Sequence, residues 1–333
     1  MSKKTWLICD SCGAIQIGEI FPTSHLYSRS HGSGLTGETW RQHHNLLAKI
    51  IAASGCRRVL EIGGGHGILS RLVTEITPAT QWTIVDPTAD QRSIAHATVI
   101  SDFFDEQKIT LRCDAVVHSH FLEHAHDPMR VLRGIWQILP VGGRHVFSIP
   151  DMRVMLERVQ TNCITFEHTY MLDSETLDSA LLRAGFEIVS KTKFSDGHSV
   201  MYDTRKTETP KLVRAGRVPD SQILASRYFE HHKKDALAIN CAANLWDGDV
   251  YLFGAHVFSQ SILSFGVNES AITGVLDNNL SKSGLRLYGT GLMVSDAQSI
   301  ARARNPLVVL RAGSYNREIE DALRSHRRDV AVI

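Results

Sequence analysis

The stretch Val59-Leu-Glu-Ile-Gly-Gly-Gly-His-Gly67 constrains the fold more than any other part of the chain. A short apolar run that suits a buried strand passes straight into glycines, and Ile68 to Ile76 then has helical spacing before Pro78. A strand–glycine–helix junction of this kind lets backbone N–H groups and a helix N-terminus face a ligand with no side chain in the way. Glycines at 63, 65 and 67 give G-x-G-x-G, not the G-x-G-x-x-G of dinucleotide-binding folds, which argues against a nicotinamide dehydrogenase.

Strands and helices alternate after this junction. Trp82 to Asp86, Asp114 to His118 and Gly143 to Ile149 read as strands, and Pro128 to Leu139 and Ser174 to Ala184 as helices. Such alternation predicts a parallel α/β sheet with right-handed crossovers. Phe186 to Lys193 and His198 to Thr204 read as an antiparallel hairpin that ends it. Residues 1–55 form an N-terminal region with a hairpin signal from Trp6 to Ile20, a Gly/Ser/His loop from His31 to Gly37 and a helix from Thr39 to Ala53. Residues 56–204 form the first α/β domain. Residues 205–247 are a polar linker with Pro210 and Pro219, and a helix is expected from Ser221 to Leu245. Residues 248–333 open a second α/β set, with strands at Val250 to Gly254, Ile272 to Asp277 and Pro306 to Leu310 and a helix from Arg317 to Ser325.

Lys plus Arg number 36 and Asp plus Glu 35, a formal charge of +1, which gives no electrostatic case for a nucleic-acid or anionic-membrane partner. No apolar run approaches the roughly 18 residues of a membrane span. Met1 to Asp10 lacks the apolar stretch of a signal peptide, so a cytoplasmic location with six reduced cysteines is expected. The unusual count is 17 histidines. Several crowd into His118-Ser-His120-Phe-Leu-Glu123-His124-Ala-His126-Asp127. These are the residue types of the H-x-H-x-D-H motif of metallo-hydrolases, with one residue too many before the acid. A histidine here also falls at the carboxyl end of a central strand, where open α/β sheets bind ligands.

Four elements in order, Glu61 to Gly67, the acid Asp86 with Pro87 after it, Asp102-Phe103, and Asp114 to His118, resemble class I S-adenosylmethionine (SAM) methyltransferases. The resemblance implies a Rossmann-like α/β fold and SAM as cofactor. It places Glu61, Gly63, Gly65, Asp86, Pro87, Asp102, Phe103 and His118 around the cofactor, Asp86 on the ribose diol and Asp102 with Phe103 at the adenine. Farther on, Thr161 to Asp173 contains Glu167-His168, and Asp196-Gly-His198-Ser199 follows. This arrangement is similar to the sugar C-methyltransferases of deoxysugar biosynthesis, which act on nucleotide-linked ketosugars. The likeness extends to Tyr251 to Ala255, Val275 to Asn279, Lys282 to Gly284, Tyr288 to Thr290 and Asn316 to Ile319.

This second resemblance implies that His124, Glu167 and His168 carry the acid/base chemistry, that Tyr27, His198 and Ser199 contact substrate, and that residues 248–333 bind it. Thr165 stands where that family has a tyrosine, and the glycines after Gly254 are replaced. The family's N-terminal zinc piece needs four ligands. Cys9-Asp-Ser-Cys12 is one of its two pairs, with His25 as the nearby extra donor, so no zinc is expected. Carbon methylation requires a base of near-neutral pKa to form an enolate, which His satisfies without large tuning. Either His124 or His168 fits that role, with Glu167 binding a substrate hydroxyl or orienting the base. The other readings are a methyltransferase acting on oxygen, nitrogen or a non-sugar carbon, a metal-dependent hydrolase built on His118 to His126, and a binding protein that kept the fold without turnover. Neither the particular sugar nor the oligomeric state follows from the sequence.

Overall fold

The computed structural model describes residues 5–20, 22, 37–165, 167–214, 216 and 220–333, so Tyr27, His25 and residues 31–36 lie outside the described residues. The chain divides into two compact units. The first comprises Met1–Arg153 and Phe166–Ser221, the second Val154–Thr165 and Gln222–Ile333.

The first unit begins with the expected hairpin, β1 (Trp6–Ile8) against β2 (Ile15–Ile17), closed where Gly13 N–H donates to the Cys9 carbonyl at 2.7 Å. Helix α1 (Glu38–Ala53) follows, and it buries His43, Leu47, Ala48 and Ile51 along one stripe at helical spacing. Then come β3 (Arg58–Ile62), α2 (Ile68–Ile76), β4 (Gln81–Val85), β5 (Thr98–Ile100), β6 (Ala115–Ser119), α3 (Pro128–Ile138) and β7 (Arg144–Pro150). Asp127 caps α3 by accepting from Arg130 N–H at 2.9 Å, and Pro128 sits where a helix has no need of its N–H. The two-residue β8 (Tyr170–Met171) pairs with β2, and α4 (Ser174–Ala184), β9 (Phe186–Phe194) and β10 (Ser199–Lys206) complete the unit. His198, expected at a strand start, ends a single helical turn, Ser195–His198, at the hairpin's tip.

The main sheet has the order β5-β4-β3-β6-β7-β10-β9. The first five are parallel, and β10 lies antiparallel between β7 and β9. Alternation sends Leu60, Ile62, Phe147 and Tyr202 into the core on one face, and Val59, Ile84 and Val117 into the core on the other. The order reverses between β4 and β6, on either side of β3, so the loops after β3 and β6 open a crevice at the strands' carboxyl ends.

The second unit is a parallel sheet of order β13-β12-β11-β14-β15, from β11 (Val250–Phe253), β12 (Gly274–Asp277), β13 (Val294–Asp296), β14 (Leu307–Val309) and β15 (Ala331–Val332). Its helices are α5 (Ser221–Leu245), α6 (Val257–Ser264) and α7 (Asn316–His326). Residues 154–165 join this unit although the sequence placed them in the preceding domain. The reason is a buried polar knot in which the Tyr228 hydroxyl and Ser261 Oγ each donate to the Thr161 carbonyl at 3.0 Å. Among the described residues no helix is long and apolar enough to cross a membrane.

Candidate active site

The glycine loop is shaped from both sides. Gly63, Gly65 and Gly67 have φ of +72°, +48° and +69°, a region closed to most side-chain-bearing residues. Gly63 N–H donates to the Val85 carbonyl at 2.9 Å, and Gly65 N–H donates to Asp86 Oδ2 at 2.9 Å. The other Asp86 oxygen accepts from Thr88 N–H at 2.7 Å and from its hydroxyl at 2.8 Å. Asp86 therefore ties the end of β4 to the loop after β3. Beneath the loop lies Glu61, which accepts from Trp82 Nε1 at 2.7 Å. A Cβ on Gly64 would come within 2.8 Å of Glu61 Cδ and of Ile84 Cγ2, whereas one on Gly65 would meet only Asp86 Oδ2, at 4.0 Å. The loop is thus packed tightly from below and open beside Gly65. An adenosyl ligand fits such a cradle, with backbone donors and one acid at its rim.

Burial pushes the Glu61 carboxyl up to about 8 from an ordinary 4.5. The folded protein then holds a proton there through a window in which the unfolded chain has lost it, so this group lowers stability as pH rises from about 5 to 8. Glu61→Gln keeps an oxygen for Trp82 and removes that proton. In denaturant titrations without ligand, the variant is expected to gain stability relative to wild type across this window, by on the order of a few kcal/mol at the upper end. Parallel pH profiles would refute the assignment.

Of the other sequence-expected cofactor residues, Asp102 lies just beyond β5. One oxygen accepts from Phe103 N–H and the other pairs with Lys108 at 2.8 Å, which holds the carboxyl below its usual range. Phe103 is 40% exposed at that rim. His118 is corrected. It is fully buried in β6, with Nε2 3.0 Å from His145 Nε2 and its ring stacked on Phe147, so it packs the core instead of lining the cradle.

The histidine-rich segment divides, with Glu123 Oε1 between its halves, 3.6 Å from His120 Nδ1 and 3.8 Å from His124 Nε2. His120 has φ +49°, which breaks the strand's alternation and turns its ring toward His43 and His198, at centroid distances of 5.3 and 5.6 Å. His124 ends the short turn Leu122–His124 and lies beside His168, with centroids 5.1 Å apart. His118 and His120 thus stand apart from His124, whereas Glu123, His124 and His168 bring ligand atoms within 4.8 Å of one another.

The Glu167–Thr169 segment is stitched onto this turn. Thr169 N–H donates to the Glu123 carbonyl at 2.8 Å and its hydroxyl to the Ala125 carbonyl at 2.5 Å. His124 Nδ1 faces the Glu167 carbonyl at 3.0 Å. A carbonyl only accepts, so Nδ1 carries the proton and Nε2 bears the lone pair in the neutral ring. The contact between Glu167 and His124 thus runs through the Glu167 backbone. Sequence reasoning missed Glu123, although it stood inside the quoted segment. Its side chain is buried, neither oxygen has a hydrogen bond among the described residues, and burial pushes its carboxyl up to about 8. His198 and Ser199, expected to touch substrate, turn inward. Ser199 Oγ lies 2.8 Å from His120 Nε2 and 2.6 Å from His198 Nδ1.

Residues 35–191 match the family model described as "Methyltransferase domain". Among solved structures, the chain is similar to an O-methyltransferase family protein from Burkholderia thailandensis, at 14% identity and a TM-score of 0.43, over 51% of this chain and 57% of that one. It is also similar to a Burkholderia thailandensis 1,6-didemethyltoxoflavin-N1-methyltransferase with bound S-adenosylhomocysteine (16% identity, TM-score 0.43, covering 62% of this chain and 100% of that one). A third is an N-methyltransferase from Bradyrhizobium japonicum, at 19% identity and a TM-score of 0.38, over 50% of this chain and 96% of that one. No protein of curated function matches the sequence. The matched segment, with the strand order of its sheet, is a class I methyltransferase domain of Rossmann-like fold.

Proposed function

We propose that the protein is a SAM-dependent C-methyltransferase that methylates a carbon beside a ketone in a nucleotide-activated deoxysugar. The observation that carries this reading is the His124–His168 pair, with His124 held by the Glu167 carbonyl. Two imidazoles side by side suit enolisation, in which one removes a proton from carbon and the other meets the negative charge that forms on oxygen. The tautomer of His124 supports reading it as the base, at Nε2. His168 then stabilises the enolate oxygen, and Glu167 keeps the base in register.

Gly63, Gly65 and Asp86, with Pro87, Asp102 and Phe103 at the rim, would hold SAM. When bound, SAM supplies an electrophilic methyl group. Glu61 supports the loop from beneath, and the enolate carbon is the nucleophile, so the proton removed from carbon resides on His124 until solvent takes it. Residues 248–333 are assigned to substrate binding on the strength of the sequence resemblance.

The test is to incubate the protein with SAM and a thymidine-diphospho keto-deoxysugar in deuterated water. The expected product is heavier by one methylene, and deuterium enters the unreacted sugar at the carbon beside the ketone. Methyl transfer to oxygen or nitrogen without carbon exchange would overturn the reading and leave a different methyl acceptor in its place.

A further inference from the structure

We propose that His43, His120 and His198 form a binding site for one divalent cation of the zinc class, a site that fastens α1, the end of β6 and the turn between β9 and β10 to one another. It does not depend on which acceptor the enzyme uses. Each ring offers one nitrogen, and the three nitrogens lie within 4.8 Å of one another.

Ring placement fits a metal closely. Three imidazoles bound at about 2.0–2.1 Å with tetrahedral angles have centroids roughly 5.2 Å apart. The observed separations are 5.3 Å for His43–His120, 5.4 Å for His43–His198 and 5.6 Å for His120–His198. Loading the site therefore calls for ring rotations and small shifts, not a rearrangement of strands. The Ser199 hydroxyl, 2.8 and 2.6 Å from two of the rings, adds an oxygen donor.

Two further observations point to a cation. His43 is fully buried, and its Nδ1 has no hydrogen-bond partner among the described residues, while Nε2 meets Ser148 Oγ at 3.1 Å. Buried ring nitrogens are ordinarily satisfied. Glu123 is also buried, and neither of its oxygens has a hydrogen bond among the described residues. One of them lies 3.6 Å from His120 Nδ1. A carboxylate behind a histidine that binds metal through its other nitrogen is a recurrent arrangement, and the dication would supply the charge that a buried acid lacks.

Trp40 closes the cluster, with its ring 5.2, 4.9 and 4.7 Å from His43, His120 and His198. Three ligands from separate elements under an aromatic cover leave one coordination position open, and imidazole donors suit zinc as one of several first-row ions.

Trp40 also provides a reporter. Untagged, chelator-treated protein is titrated with Co²⁺ and followed by visible absorption and tryptophan fluorescence. The expected result is saturation at a single equivalent, with d–d bands of a nitrogen-ligated site and quenched fluorescence. Zn²⁺ should bleach the bands and raise the melting temperature. In Trp40→Phe the bands should remain while most of the quenching disappears. His43→Gln and His198→Gln, each checked for folding by circular dichroism, should lose the bands, and His326→Gln on the exposed end of α7 should keep them. The proposal is overturned if wild type takes up no Co²⁺, or if the bands survive in both cluster variants. It is equally overturned if they depend on Cys9 and Cys12 and carry thiolate charge-transfer absorption.

Discussion

His124→Ala is expected to lower the rate of methyl transfer by about 10²–10⁴-fold, the usual contribution of a positioned general base. Affinity for SAM should stay within a few-fold, because His124 lies after β6 and the cofactor cradle is built from the loops after β3 and β4. Deuterium exchange at the substrate carbon should fall in parallel with methyl transfer, because both need the same proton removed. His168→Ala should also be slow, by about 10²–10³-fold, from loss of charge stabilisation at the enolate oxygen. The Nδ1 contact to the Glu167 carbonyl makes the two variants distinguishable. If His124 is the base, exchange survives in His168→Ala at reduced amplitude. Exchange at the wild-type rate in His124→Ala would assign the base elsewhere, with His168 the first candidate.

Asp86→Ala is expected to weaken SAM binding at least about 10-fold, given the roughly 1.5–3 kcal/mol of a hydrogen bond to a charged group. Two losses combine. The loop after β3 loses the acceptor for Gly65 N–H, and the end of β4 loses the anchor for Thr88. The acid proposed to face the ribose diol goes with them. Asp86→Asn should fall between wild type and Ala, because the amide oxygen replaces one acceptor without the charge. Calorimetry on the three proteins checks the order, and equal affinity in all three would remove Asp86 from the cradle.

The first unit was more legible in the sequence than the placement of its histidines. The β3–glycine–α2 junction, β4 ending just before Asp86 and the capped helix α3 were readable because local chemistry dictates each of them. An apolar run stops at glycine, and an acid followed by proline starts a helix. The histidine-rich stretch misled for a physical reason. Residues spaced by two on a strand share a face, so His118 and His120 read as companions. The positive φ at His120 ends that periodicity, leaving His118 in the core with His145 while His120 meets His43. His43 carried no local sign of its role, because its partners come from loops far along the chain. The same holds for residues 154–165, which belong to the second unit through Tyr228, and for the very short β8, β13 and β15, whose few residues give no period to read. Glu123 was passed over because a lone acid among histidines looks like a solvated charge until its burial is known.

The most direct test of the central claim, that the glycine cradle binds the methyl donor beside the His124–His168 pair, is isothermal titration of SAM into the ligand-free protein. The account predicts saturable one-to-one binding that Asp86→Ala weakens and His124→Ala leaves nearly intact. An absence of heat at any accessible concentration, or binding indifferent to Asp86, would contradict it.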